Sequence, residues 1–177
     1  LRALTLLKQV CLTLSDWSQL NEVIPQLKKL GLETEGSLHQ LQLDAYKNLL
    51  HDKIQWHNIP KKWQSNHTLL KMHAKKIIQA GQHDEAIRLI ESGLKNQWDD
   101  TLVDLYSLTH SSQSNKQLAQ AEKWLQKHPH NPALLLCLGR LNLSHQFYGK
   151  AKNYLEQAIK IKPSHAIKLQ LAKVYIA

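Results

Sequence analysis

One stretch of the chain, residues 131–163, spaces its apolar and small residues in a way that few folds accommodate. Counted back from Pro163 at position 32 of a repeat frame of about 34 residues, leucines occupy positions 4, 7 and 24, and small residues occupy positions 8, 20 and 27. The leucines are Leu135, Leu138 and Leu155, and the small residues are Gly139, Ala151 and Ala158. Spacings of three and four predict amphipathic helices, and small residues at 8 and 20 let two antiparallel helices approach closely. The stretch therefore predicts one complete helical hairpin.

This spacing is that of the tetratricopeptide repeat, and weaker copies of it occur earlier in the chain. A copy near residue 70 has suitable residues at positions 4, 8, 11, 20, 24 and 27: Leu70, Ala74, Ile77, Ala86, Ile90 and Gly93. The first copy keeps its apolar positions but has Lys8 and Leu20 where small residues are expected, so its helices should sit further apart. Six glycines and five prolines in 177 residues also favour helix. The sequence predicts an all-α solenoid of about three to five helical hairpins.

We divide the chain into two regions from these copies. Residues 1–66 are predicted to form degenerate hairpins followed by a short connector that contains Trp56, Pro60 and Trp63. Residues 67–177 are predicted to form the better repeats, of which 132–165 is the best, and to end in a half repeat or cap. Within them, Asp99 or Asp100 is expected to cap the start of a helix.

The formal net charge of +9 raises the question of an acidic partner, which could be nucleic acid, an anionic membrane or a protein. Two basic regions, Lys47–Lys76 and Lys116–Lys173, lie on either side of an acidic region, Gln82–Asp104. No run of Lys and Arg alternates with aromatic residues as a groove for single-stranded nucleic acid requires. Nucleic acid is therefore not an expected partner, and the simplest interpretation of the charge is solvated helix faces.

Several features concern the compartment and the extent of the chain. Cys11 and Cys137 lie on predicted apolar helix faces and are expected to be buried free thiols. No apolar stretch reaches the roughly 20 residues that a membrane span needs. The chain begins at Leu1 inside a helical pattern, so we expect a fragment of a longer protein, with any membrane anchor outside it.

Five short segments resemble one bacterial family. They are Gln97–Tyr106, Ala121–Leu125, Pro132–Leu141, Gly149–Ala151 and Tyr154–Glu156. They are similar to the C-terminal helical-repeat region of the HemY family, and the resemblance covers most of Trp56–Tyr175, although Tyr148 stands where the family has tryptophan.

The resemblance implies a link to haem and porphyrin biosynthesis, and an anchor in the bacterial inner membrane that precedes the soluble repeats. It leaves the side of the membrane open and supplies no catalytic residue. The flavin-dependent protoporphyrinogen oxidase that has carried the same name is a different protein, since this sequence has no G-x-G-x-x-G motif and no predicted strands.

The eleven histidines invite a metal or haem interpretation. No two of them have the i, i+4 spacing common in helical metal sites, and no C-x-x-C-H haem attachment motif is present. We therefore predict no metal, no resident cofactor and no enzymatic activity. Direct binding or transfer of haem or a porphyrin is kept as the alternative function.

The concave face of stacked hairpins remains as the predicted site. It is lined by positions 2, 5, 9 and 12 of each first helix. The frame places six candidate partner-binding residues there: Lys71, Lys75, Ile78, Leu136, Arg140 and Leu143. Three cations beside aliphatic side chains suit an acidic or C-terminal carboxylate group with an apolar flank. The predicted function is a non-catalytic scaffold that binds a protein of the haem pathway, and the alternative for these residues is packing against a neighbouring helix.

Overall fold

A computed structural model describes residues 2–52 and 54–176, and all regular secondary structure in these ranges is helical. Leu1 and Ala177, the ends of the two predicted regions, and Lys53 of the first basic region lie outside the described residues. A short 3₁₀ helix, Trp56–Asn58, accompanies the α-helices. The α-helices are α1 Arg2–Leu14, α2 Trp17–Lys29, α3 Glu35–Asp52, α4 Lys61–Gln64, α5 His67–Gln79, α6 His83–Asn96, α7 Asp100–Ser107, α8 Ser114–Lys127, α9 Pro132–Ser144, α10 Tyr148–Ile161 and α11 His165–Ile176. The all-α prediction is confirmed.

Side-chain caps fix several helix starts. The carboxylate of Asp16 accepts a hydrogen bond from the backbone N–H of Gln19 at 3.1 Å. The carboxylate of Asp99 accepts from Thr101 at 2.8 Å, so Asp99 is the cap of the two candidates. Each bond satisfies one of the orphan amides of a first turn, which favours helix initiation there.

The chain forms two compact units, residues 1–73 and 74–177. The division falls within α5, whereas the sequence placed the boundary between residues 66 and 67. The first unit contains α1–α4 and the start of α5, and the second contains the rest of α5 and α6–α11.

In the first unit, α1, α2 and α3 pack around a core that includes Cys11, Leu20 and Leu27. Lys8 stands where the repeat frame expects a small residue, and its ammonium pairs with the carboxylate of Glu33, which follows α2. That hydrogen bond from Lys8 lowers the pKa of Glu33. The pairing explains how a charged residue is accommodated at this position.

The connector forms a second core in the first unit. Its short helix α4 begins directly after Pro60 and places Trp63 in the core with 5 % of its surface exposed. Trp56 packs against the same cluster and stacks on His73 at 4.5 Å between ring centroids. The two tryptophans thus cover apolar surface.

In the second unit, α9 is the central helix and contacts α7, α8, α10 and α11. The hairpin of α9 and α10 is the best repeat, with Ala151 and Leu155 fully buried. A Cβ atom built on Gly139 would lie 2.6 Å from Leu155 Cγ, which is closer than carbon atoms approach. The close approach predicted from the glycine is confirmed, and with it the tetratricopeptide-like hairpin.

The structure also bears on the predictions for the two cysteines and for membrane spans. Both cysteines are buried and neither forms a disulfide. Burial raises the pKa of the Cys137 thiol, which keeps it protonated. None of the helices within residues 2–52 and 54–176 is both long and apolar enough to cross a bilayer.

Candidate partner-binding surface

The six predicted residues lie on two helices. Leu136, Arg140 and Leu143 lie on α9, and Lys75 and Ile78 lie on the part of α5 that belongs to the second unit. Lys71 lies on the part of α5 that belongs to the first unit. The second unit therefore carries five of the six positions.

Arg140 is held at the junction of α9 and α7. Its Nη1 atom donates to Asp104 Oδ1 at 2.5 Å and to Ser107 Oγ at 2.7 Å, and Ser107 in turn donates to the carbonyl of Asp104 at 2.6 Å. The Arg140 side chain is only 16 % exposed, whereas that of Asp104 is 47 % exposed. Because both bonds use Nη1, the Nε–H and Nη2 donors form no hydrogen bond within the described residues. The guanidinium is fixed in orientation and keeps donors for a second carboxylate.

The apolar members on α9 differ from Arg140 in their surroundings. Leu136 is 8 % exposed and belongs to a core cluster with Leu155 and Ile167, and Leu143 packs against the same cluster half-buried. Leu136 therefore has little surface to offer a partner. On α5, Lys75 is exposed and Ile78 is half-buried.

A double-mutant cycle should detect coupling between Arg140 and Asp104. Arg140→Ala, Asp104→Ala and the double variant should give a coupling of about 1 kcal/mol in the free energy of unfolding, because the pair is partly buried and shares a hydroxyl. Chemical denaturation followed by circular dichroism measures it. The Lys152–Glu156 pair on α10, with both side chains about equally exposed to solvent, is the matched control and should give less. Equal coupling in both pairs would show that Arg140 is not specially held.

Several histidines pack on other aromatic or imidazole rings. His39 lies on Trp63 at 4.7 Å, and His128 stacks on Trp98 at 3.8 Å between centroids. His83 and His110 contact each other at 5.2 Å. Among the described residues, no group of three or more His, Cys, Asp or Glu side chains is placed to hold a metal ion. These contacts give these four histidines packing roles.

A surface that the repeat frame did not predict is a groove of about 480 Å³ between α6 and α8. Its α6 wall carries Asp84, Arg88 and Glu91, and its α8 wall carries Lys116 and Lys123. We call it the α6–α8 groove. Its volume lies in the range of ligand sites, which is about 300–1,000 Å³.

The helix before the groove's α8 wall, α7, is short, and the loop that follows it lines the groove. This first helix has 8 residues, whereas α5 and α9 each have 13. Five missing residues shorten it by about 7 Å. A loop replaces its last turn, and the Ser112 hydroxyl in that loop donates to Asp84 at 2.8 Å, which lowers the pKa of Asp84. The polar run His110–Asn115 covers this loop and the start of α8, but its effect on the neighbouring helices was not visible in the sequence.

Tyr106 joins the two walls of the groove through hydrogen bonds. The fully buried side chain donates its hydroxyl proton to Glu91 Oε1 at 2.9 Å, and Gln117 Nε2 on α8 donates to the Tyr106 carbonyl at 2.9 Å. Burial raises the pKa of the Tyr106 hydroxyl, so it remains a donor. Two lining residues of the groove, Glu91 and Gln117, are therefore both hydrogen-bonded to Tyr106.

The comparisons with known proteins agree with the sequence motifs. No protein-family model matches the chain. The chain is 26 % identical over 174 aligned residues to "Protein HemY" of Escherichia coli (strain K12), which covers 90 % of this chain and 43 % of that protein, and it matches HemY of Shigella flexneri to the same extent. It thus spans less than half the length of these relatives.

A solved structure also resembles the chain, the tetratricopeptide repeat domain of P58(IPK), at 17 % identity and a TM-score of 0.49, over 91 % of this chain and 46 % of that one. Over nine-tenths of its length the chain is similar to the HemY proteins, which confirms the resemblance drawn from its sequence motifs.

Proposed function

We propose that the chain is a non-catalytic protein-interaction scaffold, part of a protein of the bacterial inner membrane that is associated with haem or porphyrin biosynthesis. The similarity to HemY proteins supports the pathway and the membrane, and the helical hairpins support a scaffold rather than an enzyme. The side of the membrane is not part of the proposal.

The observation that carries the proposal is the setting of Arg140. Its guanidinium lies between two neighbouring first helices, oriented by Asp104 and Ser107, with donors that no described residue uses. A planar guanidinium held in this way binds a carboxylate through two parallel hydrogen bonds, and its orientation is already fixed before the partner arrives. An acidic side chain or a C-terminal carboxylate of a partner protein suits this site.

The other predicted residues complete the proposed surface. Lys75 and Ile78 supply a cation and an apolar flank in the same unit, while Leu136 and Leu143 support Arg140 through the packing of α9. Lys71 is proposed as a contact of the first unit.

The test is capture of partners from a bacterial membrane extract on the immobilised chain, followed by mass spectrometry. We expect enzymes of haem or porphyrin synthesis among the captured proteins. The variant Lys75→Glu with Arg140→Gln should reduce their recovery by about tenfold, since a central charged anchor contributes strongly to binding. Glutamine is used at position 140 because a glutamate there would face Asp104 at ion-pair distance. Lys71→Glu is made separately and should reduce recovery less.

The control variant reverses Lys152 and Lys160 on α10, the second helix of its hairpin. Recovery should be nearly unchanged in this variant. Equal losses in both variants would indicate general electrostatic attraction, and the absence of every haem-pathway enzyme from the captured proteins would remove the pathway assignment.

A haem titration followed at the Soret band separates the scaffold from direct haem handling. The α6–α8 groove has no histidine among its described lining residues. Five histidines instead pack against other rings: His39, His73, His83, His110 and His128. We therefore expect weak, unsaturable binding. Saturable one-to-one binding that is lost on replacing a single histidine would overturn the scaffold proposal in favour of the alternative.

A further inference from the structure

The α8 wall of the α6–α8 groove is a polar stripe without an acidic residue. Lys116, Gln120 and Lys123 follow each other at spacings of four and three residues, so they share one face of the helix, and all three line the groove. Neither lysine forms an ion pair within the described residues. These ammonium groups are available to a ligand.

Both carboxylates of the α6 wall accept hydrogen bonds from hydroxyl groups of the chain. Asp84 accepts hydrogen bonds from the Ser111 and Ser112 hydroxyls, and Glu91 accepts from Tyr106. Arg88 adds a third cation on this wall. Three cations therefore line the groove against two carboxylates, and on the α8 wall both lysines lie on a helix face that has no acidic lining residue, which favours carboxylates along that wall.

The spacing of the two lysines fits an extended ligand backbone. Seven residues of α-helix separate their Cα atoms by about 10 Å along the axis. In a polyproline II segment, residues three apart lie on the same side and about 9 Å apart. Acidic side chains at every third position of such a segment match Lys116 and Lys123. The backbone carbonyls of polyproline II form no internal hydrogen bonds, so they accept from an amide such as that of Gln120.

We propose that the α6–α8 groove binds an extended acidic peptide segment of a partner protein, with carboxylates three residues apart. This surface lies on second helices and shares no residue with the face around Arg140, so it is a second docking site. Its occupant has the chemistry of a proline-rich acidic linker or tail.

Fluorescence anisotropy of labelled peptides with the complete chain tests the proposal. One heptapeptide has glutamate at every third position and proline elsewhere, and a second has the same composition with its glutamates adjacent. At about 0.15 M salt, where charges within about 8 Å still attract, the peptide with spaced glutamates should bind saturably. Its affinity should be about tenfold higher than that of the peptide with adjacent glutamates. Equal affinity for both peptides would overturn the proposed spacing.

The variants locate the binding. Lys116→Glu with Lys123→Glu should weaken binding of the spaced peptide by about tenfold or more, because attraction becomes repulsion. The matched control, Lys162→Glu with Lys168→Glu, makes the same change of charge at exposed residues of the same unit and should bind as the parent does. A similar loss in both variants would overturn the proposal in favour of non-specific attraction. Unchanged helicity in the groove variant excludes unfolding as the cause.

A final arm distinguishes a peptide from a small molecule. A free dicarboxylate such as glutarate, added at the same carboxylate concentration, should not displace the spaced peptide. Full displacement would assign the groove to a small dicarboxylate and overturn the peptide. None of these outcomes depends on Arg140. If the peptide fails to bind the groove, the proposed partner-binding face around Arg140 is unaffected, and if that face fails its own test, the proposal for the groove is unaffected.

Discussion

Tyr106→Ala will lower the free energy of unfolding by about 3–5 kcal/mol, the range for removing a large aromatic side chain from a core. The side chain is fully buried and its ring lies 4.8 Å from that of Trp124. It also joins α6 to α8 through Glu91 and the segment around Gln117. The loss therefore combines a cavity, an aromatic contact and a donor to a carboxylate. Urea denaturation followed by circular dichroism measures the change.

Tyr106→Phe is the control because it keeps the ring and removes only the hydroxyl. It should lower the free energy of unfolding by about 1 kcal/mol, the net value of one hydrogen bond, or somewhat more because the acceptor is charged. If Tyr106→Ala is no less stable than Tyr106→Phe, the ring does not hold the second unit together. Since Glu91 lines the α6–α8 groove, the phenylalanine variant should also alter peptide affinity there.

The helices and their order were accessible from sequence because local signals specify them. Apolar spacings of three and four predicted the hairpins, Asp99 marked a helix start, and Gly139 marked the closest helix approach. Each of these signals acts within one or two helical turns, or within one hairpin. The similarity to HemY proteins was likewise carried by short contiguous segments.

The pairings between distant residues were not accessible. Arg140 and Asp104 are 36 residues apart in sequence, and nothing in either local pattern indicates that they meet. The same holds for Lys8 and Glu33, which are 25 residues apart. An ion pair between helices depends on their crossing and axial offset, which the periodicity of a single helix does not contain.

The repeat frame predicted the face around Arg140 but not the α6–α8 groove, because the frame describes regular hairpins only. The frame assigns residues to faces by assuming equal hairpins, and it places Arg140 on the first helix of its repeat, which is α9. The hairpin with the short first helix α7 departs from that assumption, and the groove lies between the second helices on either side of it in the chain, α6 and α8. The place where the chain departs from the repeat is therefore where a groove occurs that the repeat frame does not predict.

Gly139→Leu will lower the free energy of unfolding by about 1–3 kcal/mol or more through overpacking. A Cβ atom at this position already falls 2.5 Å from Leu155 Cδ2 and 2.6 Å from Cγ, and Leu155 is fully buried, so it has no open space into which to move. The helices α9 and α10 must separate, or one side chain must leave its preferred rotamer. Thermal melts and urea denaturation of the complete chain measure the change.

Two further variants show that the effect comes from this contact. Gly149→Ala on α10 is the matched control, because a Cβ atom there has no neighbour within 4 Å and its backbone φ is not positive, so it should stabilise the chain by about 0.4–1 kcal/mol. Leu155→Ala in the Gly139→Leu background should recover part of the loss, since it vacates the volume that the new side chain needs, although each substitution alone destabilises. Strict additivity of the two substitutions would mean that they do not share a contact. If Gly139→Leu itself melts with the parent chain, the close approach of α9 and α10 at this glycine is wrong, and the repeat frame counted from Pro163 is wrong with it.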